Sequence, residues 1–235
     1  MEIQSPKAVR DALIERVNHG VFGYGRVEDS YYDAFFAWQK EHHGMDLAKE
    51  NVRFATGVVG SLYAAVRSYT KEGDSVIICS PVYYPFYDAI LNAGRKLVTC
   101  ELDNHEGYYT LDLAKFEKEI ADNDVKMFIL CSPHNPVSRV WTEEELAGMF
   151  DICKKHGVLV LSDEIHQDFT YGDHKFISSS IVKGGAYKDI LILLNAGSKT
   201  FNLAGLIHSH VIIFNEDLMK TYDAYIKSIG CPEAN

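Results

Sequence analysis

The chain has 235 residues, 47% of them hydrophobic and 24% charged, a balance that excludes disordered, collagen-like and coiled-coil chains. That length suits one large domain or two small ones. A formal net charge of −10 without any run of Lys and Arg argues against a surface that tracks nucleic-acid phosphates.

Ser5-Pro6 reads as an N-cap and first helical residue, and Val9, Leu13 and Val17 give the helix an apolar stripe that Gly20 ends. A second helix is expected over Tyr31–His42. Gly60 opens a helix carrying Leu62, Ala65, Val66 and Tyr69 and stopped near Gly73. Ser75–Cys79 and Lys96–Cys100 read as strands, Leu111–Asn123 as a helix and Met127–Cys131 as a strand. Thr142 with Glu145 makes a capping box for a helix running to His156. Strands follow at Val158–Leu161, Ile190–Leu194 and Val211–Phe214. Unbroken apolar strands between amphipathic helices imply an α/β fold, a mostly parallel central sheet covered by helices on both faces.

No apolar stretch is long enough to span a bilayer. Cys79, Cys100, Cys131, Cys153 and Cys231 are widely spaced, and no pair has zinc-ligand spacing. They read as reduced thiols of a cytoplasmic protein, with no metal site expected.

In parallel sheets ligands sit beyond the carboxyl ends of the strands. There the sequence places Tyr83, Asn135, Asp163 and Lys199. Lys199 is either a surface loop residue or an amine able to form a Schiff base at a dry rim. Asp163 either caps the following helix or pairs with a buried cation, which a protonated pyridine nitrogen would supply. Asn135 lies between Pro133 and Pro136, which stiffen its turn. Tyr83 could pack its face on a flat ring or simply fill the rim. Thr56-Gly57-Val58-Val59-Gly60-Ser61 leads into a helix, where free N–H groups attract one small phosphate. It lacks the P-loop ending and the full dinucleotide fingerprint.

Together these segments resemble the fold-type I pyridoxal-phosphate enzymes, and within them the cystathionine β-lyase (C–S lyase) branch. The resemblance rests on Gly20-Val21-Phe22-Gly23-Tyr24, Gly57-Val58-Val59-Gly60, Ser80-Pro81-Val82-Tyr83, Ser132-Pro133-His134-Asn135-Pro136-Val137, Ser162-Asp163-Glu164-Ile165-His166 and Ser198-Lys199-Thr200-Phe201-Asn202. It implies that Lys199 holds pyridoxal 5'-phosphate as a Schiff base and later moves the substrate proton. It implies that Asp163 pairs with the pyridine nitrogen, Asn135 and His166 with the phenolic oxygen, and that Tyr83 stacks on the ring. Val58 and Val59 N–H groups and the Ser198 hydroxyl would hold the phosphate. Tyr24 would reach the neighbouring subunit's phosphate, which implies a homodimer.

The reaction implied is β-elimination of a thiol from a small amino-acid thioether, with pyruvate and ammonia as the other products. An aminotransferase on the same apparatus, and a cofactor-binding domain without turnover, are the alternatives. Three positions depart from the family pattern. Ser138 stands where relatives usually have Gly, which predicts a strained turn. Ala196-Gly197 removes one phosphate contact. His208 is expected in place of a phosphate-binding Arg. The resemblance also implies an N-terminal segment over 1–45, a cofactor domain over 46–235, and a small domain largely missing from this sequence.

Overall fold

The computed structural model describes residues 3–23 and 25–230. Tyr24, expected to cross to a second subunit, and Cys231 lie outside the described residues. The elements are α1 (Lys7–His19), α2 (Asp29–His43), β1 (Val52–Ala55), α3 (Val58–Tyr69), β2 (Ser75–Ser80), α4 (Pro85–Leu91), β3 (Lys96–Glu101), β4 (Asp103–His105) and β5 (Tyr108–Thr110). They continue as α5 (Leu113–Asp122), β6 (Val125–Cys131), α6 (Glu143–His156), β7 (Leu159–Asp163), β8 (Leu191–Asn195), α7 (Gly197–Thr200), β9 (Ser209–Ile213) and α8 (Glu216–Ser228).

Seven strands form one sheet in the order β1-β9-β8-β7-β6-β2-β3. β3, β2, β6, β7 and β8 are parallel, whereas β9 runs antiparallel to both β8 and β1. Two reversals bring β1 back to the direction of β8. The carboxyl ends of β1, β2, β6, β7 and β8 therefore share one rim. The chain moves outward from β2 to β3, then returns across β2 to β6. That reversal is a topological switch point, the crevice where such sheets bind ligands.

Alternation along the strands separates the two faces. Val76 and Ile78 of β2 pack with Leu62, Ala65 and Val66 of α3, Phe86 and Ile90 of α4, and Met219 and Tyr222 of α8. Ile77 and Cys79 face the other way, onto Phe116 of α5 and Phe150 of α6. A smaller cluster lays Phe35 and Phe36 of α2 against Leu193 and Ile212. The predicted α/β sheet with helices on both faces is what the chain forms.

The capping box is made: Thr142 Oγ1 accepts from the Glu145 N–H at 3.2 Å, and Glu145 Oε2 accepts from the Thr142 N–H at 2.9 Å. Two expectations at the N-terminus are corrected. Pro6, not Ser5, is the N-cap of α1, because the Ser5 hydroxyl donates instead to the Asn202 carbonyl at 2.9 Å. The Val9/Leu13/Val17 stripe buries nothing: α1 has no buried residue, and Leu13 and Val17 are 45% and 64% exposed. Periodicity identifies an apolar face but not what covers it.

Candidate active site

All eight predicted site residues that lie among the described residues line one cavity of about 280 Å3: Val58, Val59, Tyr83, Asn135, Asp163, His166, Ser198 and Lys199. Five strand ends deliver them. β1 leads to Gly57 and α3, β2 to Tyr83, β6 to Asn135, β7 to Asp163 and His166, and β8 to Ser198 and Lys199.

Gly57 is the N-cap of α3, with φ +85° and ψ 151°. An L side chain is strained there, and a Cβ at this position would come within 3.3 Å of Ile207 Cγ2. The chain therefore needs glycine to turn from β1 into the helix. The turn leaves the N–H groups of Val58 and Val59 without intrahelical acceptors, aimed at the cavity end of a twelve-residue helix.

Asp163 ends β7 and is 3% exposed. Its Oδ1 accepts from the Ile165 N–H at 3.1 Å. Burial pushes its carboxyl up to about 7, against the pull of that N–H and of Lys199. A buried carboxylate of this kind is held ionised by a cationic donor placed against it. A pyridinium N–H is such a donor. Burial, and then the charge of Lys199, lowers the His166 pKa, so this imidazole is neutral at pH 7. Half-buried Tyr83 has its phenol pKa raised by burial, then by Tyr84, and stays neutral too. Neither Ser198 nor Lys199 has a side-chain hydrogen bond to any described residue, leaving a hydroxyl and an amine for a ligand.

Asn135 sits in a tight reversal closed by the His134 N–H to the Arg139 carbonyl at 2.7 Å. Its N–H points to Cys131 Sγ at 3.4 Å. Within that reversal Ser138 takes φ +55°. This bears out the strain expected from a non-glycine residue there. One contributor escaped the sequence reading: His134, adjacent to Asn135, bonds through Nε2 to the Pro81 carbonyl at 2.9 Å.

His208, expected where relatives carry a phosphate-binding arginine, lines the same cavity as Ile207 and Lys199. His208 Nε2 is engaged by Tyr31 Oη at 2.7 Å, and the same hydroxyl meets His210 Nε2 at 2.7 Å. Burial lowers the His208 pKa, so it offers a phosphate no positive charge at pH 7.

Residues 2–223 match the model of the aminotransferase class I and II family. The chain is 39% identical over 213 residues to cystathionine beta-lyase PatB of Bacillus subtilis, covering 91% of this chain and 55% of that protein. It is 34% identical over 230 residues to protein MalY of Escherichia coli, covering 97% and 57%. Cystalysin from Treponema denticola, whose crystal structure contains pyridoxal 5'-phosphate, superposes with a TM-score of 0.94 at 36% identity, covering 100% of this chain and 59% of that one. The PLP-bound C–S lyase from Staphylococcus hominis gives 0.92 at 36% identity, covering 97% and 58%. The chain belongs to the aminotransferase class I and II family. It spans a little over half the length of these relatives.

Proposed function

We propose that this chain is the cofactor-binding part of a pyridoxal-phosphate-dependent C–S β-lyase acting on cystathionine- or cysteine-type thioethers. One observation carries the reading: Lys199, Asp163, Asn135, His166, Tyr83 and the free amides of Val58 and Val59 converge on one cavity from five strand ends. Lys199 would hold the cofactor through its amine and Asp163 the pyridine nitrogen. Asn135 and His166 would face the phenolic oxygen, Tyr83 the ring, and Val58, Val59 and Ser198 the phosphate. When bound, pyridoxal phosphate supplies an electron sink for the pair released at the substrate α-carbon.

The rest falls to the protein. Lys199 Nζ, freed when the substrate's own amine takes its place on the cofactor, would take the α-proton of the amino acid and pass it to the departing sulfur. The substrate loses its β-thiolate with a proton, and the remaining aminoacrylate takes up water to give pyruvate and ammonia. Buried Asp163 would keep the ring nitrogen protonated, and neutral His166 would offer its one N–H as a donor to the phenolic oxygen. Tyr24 at the neighbouring subunit's phosphate, and hence a homodimer, belong to the same reading. A cytoplasmic setting is supported by four described cysteines, all buried and unpaired.

The test is direct. Chain incubated with pyridoxal phosphate and reduced with borohydride should carry the pyridoxyl mass on Lys199, and Lys199→Ala should carry none. No increment on the parent chain, or an unchanged one on the variant, rejects the reading. Pyruvate release from cystathionine, set beside keto-acid-dependent amino transfer, then separates lyase from aminotransferase. Cofactor uptake without either product identifies a binding domain without turnover.

A further inference from the structure

We propose that Asp168 is a positioning residue for Lys199, its carboxylate fastening the turn that bears the reactive amine to α2. The inference rests on the reading of Lys199 given above, and goes beyond the residues that face the cofactor.

Lys199 lies in α7, a helix of only four residues whose N-cap, Ala196, supplies no side-chain bond. An isolated turn of helix is unstable, because its first hydrogen bond does not offset the dihedral freedom it fixes. Three backbone bonds close it, from the Phe201 N–H to the Gly197 carbonyl at 2.9 Å, from the Leu203 N–H to the Ser198 carbonyl at 2.8 Å and, longer, from the Asn202 N–H to the Lys199 carbonyl at 3.4 Å. Side chains must supply the rest, and those of Ser198 and Lys199 are free for the cavity.

Thr200 makes the tie. Its hydroxyl donates to Asp168 Oδ2. Asp168 Oδ1 accepts from His43 Nε2 at 2.9 Å and from Trp38 Nε1 at 3.3 Å, both on α2. Asp168 itself follows His166 on the loop after β7. One carboxylate thus joins three segments far apart in sequence: α2, the His166 loop and the Lys199 turn. The Asp168 and His43 side chains are 14% and 5% exposed, so the bonds are shielded from competing water. Burial by itself would raise the Asp168 pKa, but the His43 and Thr200 bonds outweigh it and hold the group below the ordinary carboxylate range. The acceptor is therefore ionised at neutral pH, and bonds to it are the strong, charge-assisted kind.

Thr200→Val cuts only the arm toward Lys199 and leaves the His43 and Trp38 arms intact. Thr200→Ser keeps the hydroxyl. Asp168→Asn and the Asp168→Asn/Thr200→Val double variant complete a mutant cycle. Hydrogen exchange in the cofactor-free chain should show the Phe201 and Leu203 amides at least tenfold faster in each single variant. The double variant should be no faster than the faster single one, and Thr200→Ser should stay within twofold of the parent. Borohydride trapping at limiting pyridoxal phosphate should show at least a fivefold weaker apparent affinity of Lys199 in both singles, again without addition in the double.

Exchange within twofold of the parent in Thr200→Val, additive effects in the double variant, or a Thr200→Ser that behaves like Thr200→Val would overturn the inference. Faster exchange with unchanged trapping would overturn it as well. If the parent traps no cofactor, the functional reading falls, and the exchange arm still decides the role of Asp168.

Discussion

The imidazole of His134 donates its Nε2 proton to the Pro81 carbonyl at 2.9 Å. The bond ties the loop of Asn135 to the loop of Tyr83 across the switch point between β6 and β2. A ring donating to a carbonyl must carry its proton on Nε2, and burial, lowering the His134 pKa to about 4, keeps it in that neutral form. His134→Ala leaves the carbonyl unpaired and a void beside Trp141, whose ring lies 5.6 Å from the imidazole. The expected loss is about 2–3 kcal/mol of stability in urea denaturation, with weaker retention of pyridoxal phosphate. Unchanged stability would show that the two loops hold their positions without this bond.

Asp163 should trade stability for binding. With its folded pKa raised to about 7 by burial, the unfolded chain ionises this carboxyl at lower pH than the folded one does. Above pH 7 the group therefore weighs against folding. In the cofactor-free chain at pH 8, Asp163→Asn should raise stability by about 3 kcal/mol. The same variant should bind pyridoxal phosphate at least tenfold more weakly, since an amide cannot hold a pyridinium by charge. A variant less stable than its parent at pH 8 would contradict this account.

Acid should act through the buried imidazoles with the opposite sign. Burial lowers His134 to about 4 and His210 to about 3. Between about pH 6.5 and 4 the unfolded chain binds protons that the folded chain refuses, so their contribution to stability falls as pH falls through that window. Asp163, protonated when folded up to about 7, contributes in the other direction there. The stability of Asp163→Asn should therefore drop more steeply from pH 7 to 4 than that of the parent. Denaturation at pH 7, 5.5 and 4 measures the difference in slope, and parallel curves would refute it.

Ser138 holds φ +55° in the reversal after Asn135. Glycine meets that conformation without the Cβ penalty, so Ser138→Gly should stabilise the chain by about 1 kcal/mol. The same variant should leave the Asn135 carboxamide free to serve the cofactor. Thermal unfolding of parent and variant decides it, and a lowered Tm would mean the serine side chain contributes more than its backbone strain removes.

The rim was legible in the sequence because apolar runs break into Tyr83, Asn135, Asp163 and Lys199 just where parallel strands end. Thr142 and Glu145 were legible because both halves of the capping box lie within one turn. The edge strand β1 was not, since Val-Arg-Phe-Ala is short and Arg53 interrupts it. The ties that hold the rim in place were hidden for another reason. His134 and Pro81 are 53 residues apart and Thr200 and Asp168 are 32 apart, and no local spacing announces such a bond. The α1 stripe shows the converse case, a clear pattern whose covering surface cannot be read from its period.

Gly57 and Lys199 belong to the same cavity yet enter it from β1 and β8, two strands separated in the sheet by β9, which is made after both. In the finished sheet β9 pairs with β1 on one side and with β8 on the other. The Gly57 turn and Lys199 therefore share a cavity only while this one strand is seated between them. Its pairing with β1 joins Val52 to Ile212, a non-local closure that no local folding of either half can supply.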